Sequence, residues 1–138
     1  MTPYKNFSSG DQKPETSFST DRRILVVDDH EDIRLFLVDR VEQLGFLTSS
    51  ASNGVEGLAL LQKHPFCGIL LDLEMPVMDG LTMLHHLQKK SNAVPVIVMS
   101  ADSTRTTMIK AIEAGARDYL TKPISYEILK YKCLRLFA

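Results

Sequence analysis

The sequence predicts an α/β protein, a doubly wound five-stranded parallel β-sheet with helices on both faces. Short apolar segments alternate five times with segments whose apolar residues recur at helical spacing. The strongest apolar segment, 68–72, contains no polar residue until it ends in the carboxylate of Asp72. Such a run is typical of a parallel strand buried on both faces. Because ligands bind beyond the carboxyl ends of such strands, Asp72 is a candidate functional residue, although an Asp that caps a turn is the plainer reading.

Length and composition indicate one folded domain of 22–138 after a polar leader of 1–21. A chain of 138 residues fits a single domain. The leader is rich in Ser, Thr, Asn, Gly and Pro, and its aromatic residues show no period, so we expect it to be disordered. The alternative is a docking arm that uses the aromatic residues Tyr4, Phe7 and Phe18.

Charge and hydropathy exclude several classes of protein. A formal net charge of −1 argues against direct nucleic-acid binding. Apolar runs such as 96–99 are too short to cross a bilayer, and the first ten residues lack the apolar core of a secretory signal. Cys67 and Cys133 are therefore expected to be reduced and unbridged in a cytoplasmic protein without a membrane partner.

The first half of the chain is predicted to contain two strand–helix pairs before the central strand. The first strand is 24–27, and the second, which Thr48 and Ser49 weaken, is 46–51. The apolar residues of the two helices are Ile33, Leu37, Val41 and Leu44, then Val55, Leu58, Ala59 and Leu61. Gly45 is the expected C-cap of the first helix, 53–54 a turn, and Pro65 the end of the second helix.

The second half repeats the alternation. Leu81, Leu84 and Leu87 predict a helix that ends near Ser91 and Asn92. An apolar strand at 94–99 ends in Ser100, and a short strand is expected at 117–120. A helix is predicted at 103–114, with Met108, Ile109 and Ile112 as its apolar residues. Ser125 opens the last helix, whose predicted inward residues are Ile128, Leu129 and Cys133.

Polar side chains follow four of the predicted strands. Asp28 and Asp29 follow the first, Asp72 ends the third, Ser100 ends the fourth and Lys122 follows the fifth. In a parallel sheet these positions lie at one edge. Two carboxylates about 4 Å apart repel by roughly 4 kcal/mol at an effective dielectric constant of about 20, so three require cations. Lys122 supplies one positive charge, and the remaining negative charge suits Mg²⁺.

The chemistry of this predicted cluster suits phosphoryl transfer. A carboxylate can accept a phosphoryl group covalently, while an ammonium and a hydroxyl stabilise its charge. Taken singly, each residue has a plainer explanation: Asp28 and Asp29 as a helix cap, Lys122 as a solvated lysine. The combination of five positions favours a functional site.

Four motifs in the chain resemble receiver domains of two-component response regulators. They are ILVVDD at 24–29, LDLEMPVMDG at 71–80, MSA at 99–101 and GARDYLTKP at 115–123. The similarity runs from about Arg23 to Ala138, in order and at the usual spacing. It implies a flavodoxin-like (βα)5 fold with strand order 2-1-3-4-5.

The resemblance also implies a role for each residue of the cluster. Asp72 would accept a phosphoryl group from the phosphohistidine of a sensor histidine kinase or phosphotransfer protein. Mg²⁺ would be held by Asp29 and Asp72, by the backbone carbonyl of Glu74, and by Asp28 through water. Lys122, before a cis Pro123, and Ser100 would bind the phosphoryl group.

The same resemblance makes Tyr119 the aromatic residue that responds to phosphorylation, although simple packing is the alternative. The surface formed by the fourth helix, fifth strand and fifth helix would then signal to an output domain or target protein. The apolar ending of Leu134, Leu136 and Phe137 slightly favours a receiver cut from a longer protein over a natural end.

Four positions depart from the sequence pattern that is usual in receiver domains. Thr48 and Gly68 replace buried aliphatic residues, which predicts a less well-filled core near the second and third strands. Glu74 and Asp102 place acid beside the cluster, where the resemblance implies an effect on phosphate lifetime of undetermined direction.

The prediction is a signalling module that is not an enzyme, and three other functions are weighed against it. A Mg²⁺-dependent phosphohydrolase with an aspartyl nucleophile would need Asp-x-Asp on the first strand and a cap domain. A flavodoxin-like flavin carrier would need a hydroxyl- and glycine-rich phosphate loop, whereas 28–31 is acidic. A docking-only pseudo-receiver would not need Asp72 and Lys122.

Overall fold

The computed structural model describes residues 22–90 and 94–138. In these ranges the strands are β1 (Arg23–Val27), β2 (Leu47–Ala51), β3 (Gly68–Asp72), β4 (Val96–Ser100) and β5 (Asp118–Thr121). The helices are α1 (Glu31–Gln43), α2 (Gly54–Lys63), α3 (Gly80–Lys89), α4 (Arg105–Glu113) and α5 (Tyr126–Phe137). The predictions for the leader 1–21 and for a helix end at 91–92 lie outside the described residues.

The strands form one parallel sheet in the order β2-β1-β3-β4-β5. Val27 pairs with Leu71, and Asp72 pairs with Met99, so the carboxyl ends of β1, β3 and β4 lie level with one another. This register brings the residues that follow these strands to one edge of the sheet. The predicted fold class, strand order and helix positions are confirmed.

Four of the five helices begin with a side-chain cap. Asn53, Asp79, Thr104 and Ser125 each accept a hydrogen bond from a backbone N–H in the first turn of α2, α3, α4 and α5. The predicted turn at 53–54 is therefore the start of α2. No helix among the described residues combines the length and the apolar character that crossing a membrane requires.

Successive side chains of the central strands pack alternately into two hydrophobic cores, one on each face of the sheet. Leu25, Ile69 and Leu71 point to the face that α2, α3 and α4 cover. Their neighbours Val26 and Leu70 point to the opposite face, which α1 and α5 cover. The two-residue period of side chains along a strand explains why an uninterrupted apolar run is needed here.

Several apolar residues of α4 and α5 are exposed, and one of them, Ile128, was predicted to face inward. Ile109 and Ile112 of α4 are about half exposed, and the buried residue of that helix is Ala111. In α5 the inward face is formed by Leu129, Cys133 and Phe137, while Ile128 is 51% exposed. The prediction for Ile128 was wrong because one residue along a helix turns a side chain about 100° away from its neighbour.

Gly68 does not leave the core underfilled, contrary to the prediction. The ring of Phe137, near the end of α5, packs on its backbone so closely that a Cβ atom at Gly68 would lie 2.3 Å from the ring. Phe137 is buried, so it supplies the apolar volume that position 68 lacks. Thr48 is partly exposed and donates a hydrogen bond to Glu42 at 2.6 Å, so it has a polar partner instead of a place in the core.

We expect Gly68→Ala to lower the free energy of unfolding by about 1–3 kcal/mol, because the new methyl group overpacks the contact with Phe137. Urea denaturation measures this change. Ser50→Ala, at an exposed position of β2, is the control and should change stability by less than about 0.5 kcal/mol. A Gly68→Ala protein as stable as the wild type would show that the ring can move aside without cost.

Candidate functional site

The centre of the site is an ammonium group between two buried carboxylates. Lys122 Nζ lies 3.2 Å from Asp28 Oδ2 and 3.1 Å from Asp72 Oδ1. Both carboxylates have side chains that are 0% exposed. Asp28 follows β1 and Asp72 ends β3, which are adjacent strands. Lys122 reaches them from the end of β5, where its N–H donates to Ser100 O at 2.9 Å and its peptide bond to Pro123 is cis.

Asp28 is oriented by the chain that follows it. Its Oδ1 accepts a hydrogen bond from the backbone N–H of His30 at 2.9 Å, and its carbonyl accepts one from Arg34 at 2.8 Å. His30 is the N-cap residue of α1, and its side chain makes no capping hydrogen bond. The capping role considered for Asp28 and Asp29 is therefore not the role they have in this structure.

The loop after β3 holds Asp72 in position. The backbone N–H of Glu74 donates to Asp72 Oδ1 at 3.0 Å. A Cβ atom at Gly80 would lie 2.5 Å from the backbone oxygen of Asp72, so only glycine lets α3 begin this close to the strand end. Between them, Val77 has φ 71, a conformation that costs energy for a β-branched residue. The loop accepts this strain to return the chain towards Asp72.

Burial changes the acidity of these groups. It raises the pKa of Asp72 from 3.8 to about 6, and the Asp28 carboxylate adds to the increase, while the Glu74 N–H and Lys122 partly offset it. For Lys122, burial acts to lower the pKa, but the carboxylates of Asp72 and Asp28 together raise it above its ordinary value. The ammonium is thus charged at neutral pH, and Asp72 is largely ionised there.

The acidic residues have the donor set of a cation site. Ligand atoms of Asp28, Asp29, His30 and Asp72 all lie within 4.8 Å of one another. Two buried carboxylate oxygens, Asp29 Oδ1 and Asp72 Oδ2, accept no hydrogen bond from any residue that the structure describes, and Asp28 Oδ2 is held by its ion pair with Lys122. Unsatisfied oxygens in a buried cluster are costly, and a hard divalent cation is the partner that oxygen ligands of this kind suit. The residues present therefore fit a metal ion.

Ser100 and Glu74 lie together on the other side of Asp72. The Ser100 hydroxyl donates to one oxygen of the Glu74 carboxylate, and the Ala101 N–H donates to the other at 3.2 Å. Ser100 Oγ also accepts a hydrogen bond from Asp102 N at 2.9 Å. The side chain of Glu74 is therefore turned towards β4 and away from the acidic cluster.

Comparison with known proteins assigns the family. The family model of the response regulator receiver domain matches residues 24–133. The chain belongs to this family. Receiver domains act in two-component signal transduction, and phosphorylation by a kinase is their standard function. The resemblance identified from the four sequence motifs is confirmed.

Individual relatives agree with this assignment. The receiver domain is 36% identical over 129 residues to a probable transcriptional regulatory protein of Picosynechococcus sp., covering 88% of this chain and 51% of that protein. It is 39% identical over 104 residues to the transcriptional regulatory protein PrrA of Mycobacterium tuberculosis, covering 75% and 45%. The chain thus spans about half the length of these curated relatives. The solved Francisella response regulator 1452 receiver domain superposes with a TM-score of 0.80 at 34% identity, covering 84% of this chain and 96% of that one.

Tyr119 of the receiver domain lies on β5, away from the acidic cluster. Its side chain is 36% exposed, and Lys132 Nζ stands 4.7 Å from the centre of its ring. The same ammonium donates to Tyr119 O at 2.6 Å and to Asp118 Oδ1 at 2.9 Å. The cavity between the ring, Ser100 and α4 has a volume of about 10 Å³, room for one water molecule at most. The ring cannot enter it unless α4 shifts.

The structure thus brings Asp28, Asp72 and Lys122 into direct contact, places Asp29 beside them, and joins Ser100 to Glu74. Sequence reasoning gave no role to two further residues. His30 joins the acidic cluster, with Nδ1 3.4 Å from Asp29 Oδ1, and its position directly after Asp29 was a signal that could have indicated this. Lys132 contacts Tyr119 across 13 positions of the chain, and no motif signals that contact.

We expect Asp72→Asn to stabilise the metal-free receiver domain at pH 7.5 by up to about 3 kcal/mol, because it removes a carboxylate whose pKa folding raises. The folded protein takes up the Asp72 proton at about pH 6, before the unfolded chain does at its ordinary pKa of 3.8. The wild type therefore regains this stability as the pH falls through 6, and the difference between the two proteins should disappear near pH 4.

Urea denaturation of both proteins at pH 7.5 and 4.5 measures the effect, and the comparison cancels other titrating groups. Asp118→Asn is the control. It removes a carboxylate paired with Lys132 and Arg135, so it should destabilise the protein at pH 7.5. If Asp72→Asn instead destabilised the domain at pH 7.5, the cost of burying the Asp72 charge beside Asp28 would be smaller than the stabilisation from its contacts with Lys122 and Glu74.

Proposed function

We propose that Asp72 accepts a phosphoryl group from the phosphohistidine of a sensor histidine kinase or phosphotransfer protein, and that the domain is a signalling module and not an enzyme in its own right. The observation that supports this most directly is the pairing of Lys122 with Asp28 and Asp72 in one buried cluster. An ammonium 3.1 Å from a carboxylate can neutralise charge on both the acceptor and the incoming group.

In the proposed reaction an oxygen of Asp72 attacks phosphorus. The bond from phosphorus to the donor's imidazole nitrogen breaks, and its electron pair returns to that nitrogen. Asp72 is suited to this role because it is largely ionised at neutral pH. Lys122 holds its ammonium against the attacking carboxylate, while the Glu74 N–H keeps the orientation of Asp72 Oδ1.

The metal is proposed to be Mg²⁺. Asp29 and Asp72 would hold it directly, Asp28 would hold it through water, and Glu74 would offer its backbone carbonyl. The buried oxygens Asp29 Oδ1 and Asp72 Oδ2, which accept no hydrogen bond from the described residues, support this assignment. When bound, the ion would reduce the repulsion between the carboxylates and the phosphoryl oxygens.

The proposed response to phosphorylation begins at Ser100 and reaches the surface at Tyr119. A dianionic group on Asp72 attracts the Ser100 hydroxyl, which lies at the end of the neighbouring strand β4. Movement of Ser100 alters the small cavity that it shares with Tyr119 and α4. The surface that changes would therefore be formed by α4, β5 and α5.

The remaining parts of the proposal concern partners and boundaries. A kinase or phosphotransfer protein would supply the phosphoryl group, and an output domain or target protein would read the changed surface. The domain would occupy 22–138 after a polar leader of 1–21, in the cytoplasm, without direct nucleic-acid or membrane binding. Relatives that include both regulators and the sensor histidine kinase RcsC of Escherichia coli, 33% identical over 122 residues, support a two-component setting.

Incubation with Mg²⁺ and acetyl phosphate should add one phosphoryl group to the wild type, because Asp72 is an ionised acceptor beside Lys122. Intact mass spectrometry detects the adduct, and peptide mapping after borohydride trapping locates it. Asp72→Asn should give none, and Asp118→Asn, on β5, should still be modified. Modification of Asp72→Asn at the wild-type level would reject the assignment, and rapid turnover of small phosphate esters would favour a phosphohydrolase.

Lys132→Met should raise the affinity for beryllofluoride about two- to fivefold, because it removes the cation that holds the Tyr119 ring outward. Titration followed by amide chemical shifts measures the affinity. Arg135→Met is the matched control, since it removes another partner of Asp118 and leaves the ring contact intact. Equal affinities of the two variants would mean that the ring contact does not influence the response.

A further inference from the structure

The Glu74 carboxylate takes up two hydrogen-bond donors that face the space beside Asp72. One oxygen accepts from the Ser100 hydroxyl and the other from the Ala101 N–H at 3.2 Å. A hydroxyl and a backbone N–H that converge on two oxygens of one anion form an anion-binding pair. In this structure the anion that they bind is a side chain of the protein itself.

These donors lie where a phosphoryl group on Asp72 would need them. Asp72 and Met99 are paired across β3 and β4, so Ser100 and Ala101 are the next residues along the neighbouring strand. Adjacent strands are about 4.8 Å apart, which is within reach of an oxygen of a group attached to the Asp72 carboxylate. The Lys122 ammonium is already engaged with Asp28 and Asp72.

We propose that the Glu74 carboxylate is an internal competitor of the phosphoryl group for the Ser100 hydroxyl and the Ala101 N–H. The proposal depends on the function proposed for Asp72. Before the phosphoryl group can use these donors, Glu74 must release them and turn towards solvent. Glu74 thereby opposes phosphorylation and the analogous binding of phosphoryl mimics.

Substitution of Asp102 provides the control that distinguishes competition by Glu74 from a general effect of negative charge. It is an exposed carboxylate near the same edge of the sheet, and its backbone N–H donates to Ser100 Oγ. Its carboxylate oxygens, however, accept from Thr104 N at 2.9 Å and from Thr107 Oγ1 at 2.8 Å, both at the start of α4. Removing either side chain changes the charge equally, but only the removal of Glu74 frees the two donors.

Glu74→Ala should increase the affinity for beryllofluoride, at fixed Mg²⁺, about tenfold. The expected change combines the release of two hydrogen-bond donors with the loss of one exposed repulsive charge. Asp102→Ala should increase the affinity only about twofold, since it removes an exposed negative charge and frees neither of the two contested donors. Glu74→Gln, which keeps an acceptor oxygen but loses the charge, should fall between the two. The substitutions leave the backbone carbonyl of residue 74 in place.

The test is a titration of the full chain with beryllofluoride at constant Mg²⁺, followed by amide chemical shifts, at low salt and at about 0.5 M salt. Salt screens the charge effect of Asp102→Ala, whereas much of the Glu74→Ala gain should remain. The same pair of substitutions is then made in a Ser100→Ala background. There the gain from Glu74→Ala should fall by more than half, because one of the two contested donors is absent.

The outcomes distinguish this inference from the function on which it depends. If wild-type protein and every variant fail to bind beryllofluoride, the assignment of Asp72 is overturned. If the wild type binds but Glu74→Ala and Asp102→Ala increase the affinity equally, the competitor role is overturned and Glu74 acts through charge alone. A weaker affinity in Glu74→Ala would also overturn it, since Glu74 would then support the bound state.

Discussion

The site depends on the placement of one ammonium group between two carboxylates that the fold removes from water. Asp28 and Asp72 are both 0% exposed, and the Lys122 ammonium offsets part of the cost of burying them, which is several kcal/mol for an unpaired charge. Lys122 does not fully compensate the negative charge, because burial and repulsion by Asp28 still raise the pKa of Asp72 to about 6. A centre that is neutralised only in part retains an attraction for a further cation, and it keeps a carboxylate that can react.

The sheet provides the rigid part of this arrangement. Strand order places β1 and β3 side by side, while β5 lies two strands from β3, so the long Lys122 side chain must extend over the end of β4. Close backbone contacts at two glycines then fix how α3 and α5 are placed against β3. Gly80 lets α3 begin against the end of β3, and Gly68 lets Phe137 pack over the start of the same strand.

The outer part of the site is held by side-chain contacts that are individually weak. Glu74 holds Ser100 and Ala101, and Lys132 holds Tyr119, each through hydrogen bonds at or near the surface. Weak contacts of this kind can be exchanged for others at small cost, whereas the buried ion pairs cannot. This difference separates a fixed reaction centre from the part of the molecule that can respond to it.

The sequence by itself determined the strand–helix alternation, because buried parallel strands need uninterrupted apolar runs. It also determined that Asp28, Asp72 and Lys122 meet, because the carboxyl ends of parallel strands lie at one edge of the sheet. It also indicated Ser100 and Tyr119 through their motifs. Only the tertiary structure decided which residues fill the space at Gly68, why Ile128 faces solvent, and which partners Glu74 and Tyr119 have. These features depend on contacts between segments far apart in the chain, such as Phe137 on Gly68 and Ser100 with Glu74, and no local pattern encodes such distances.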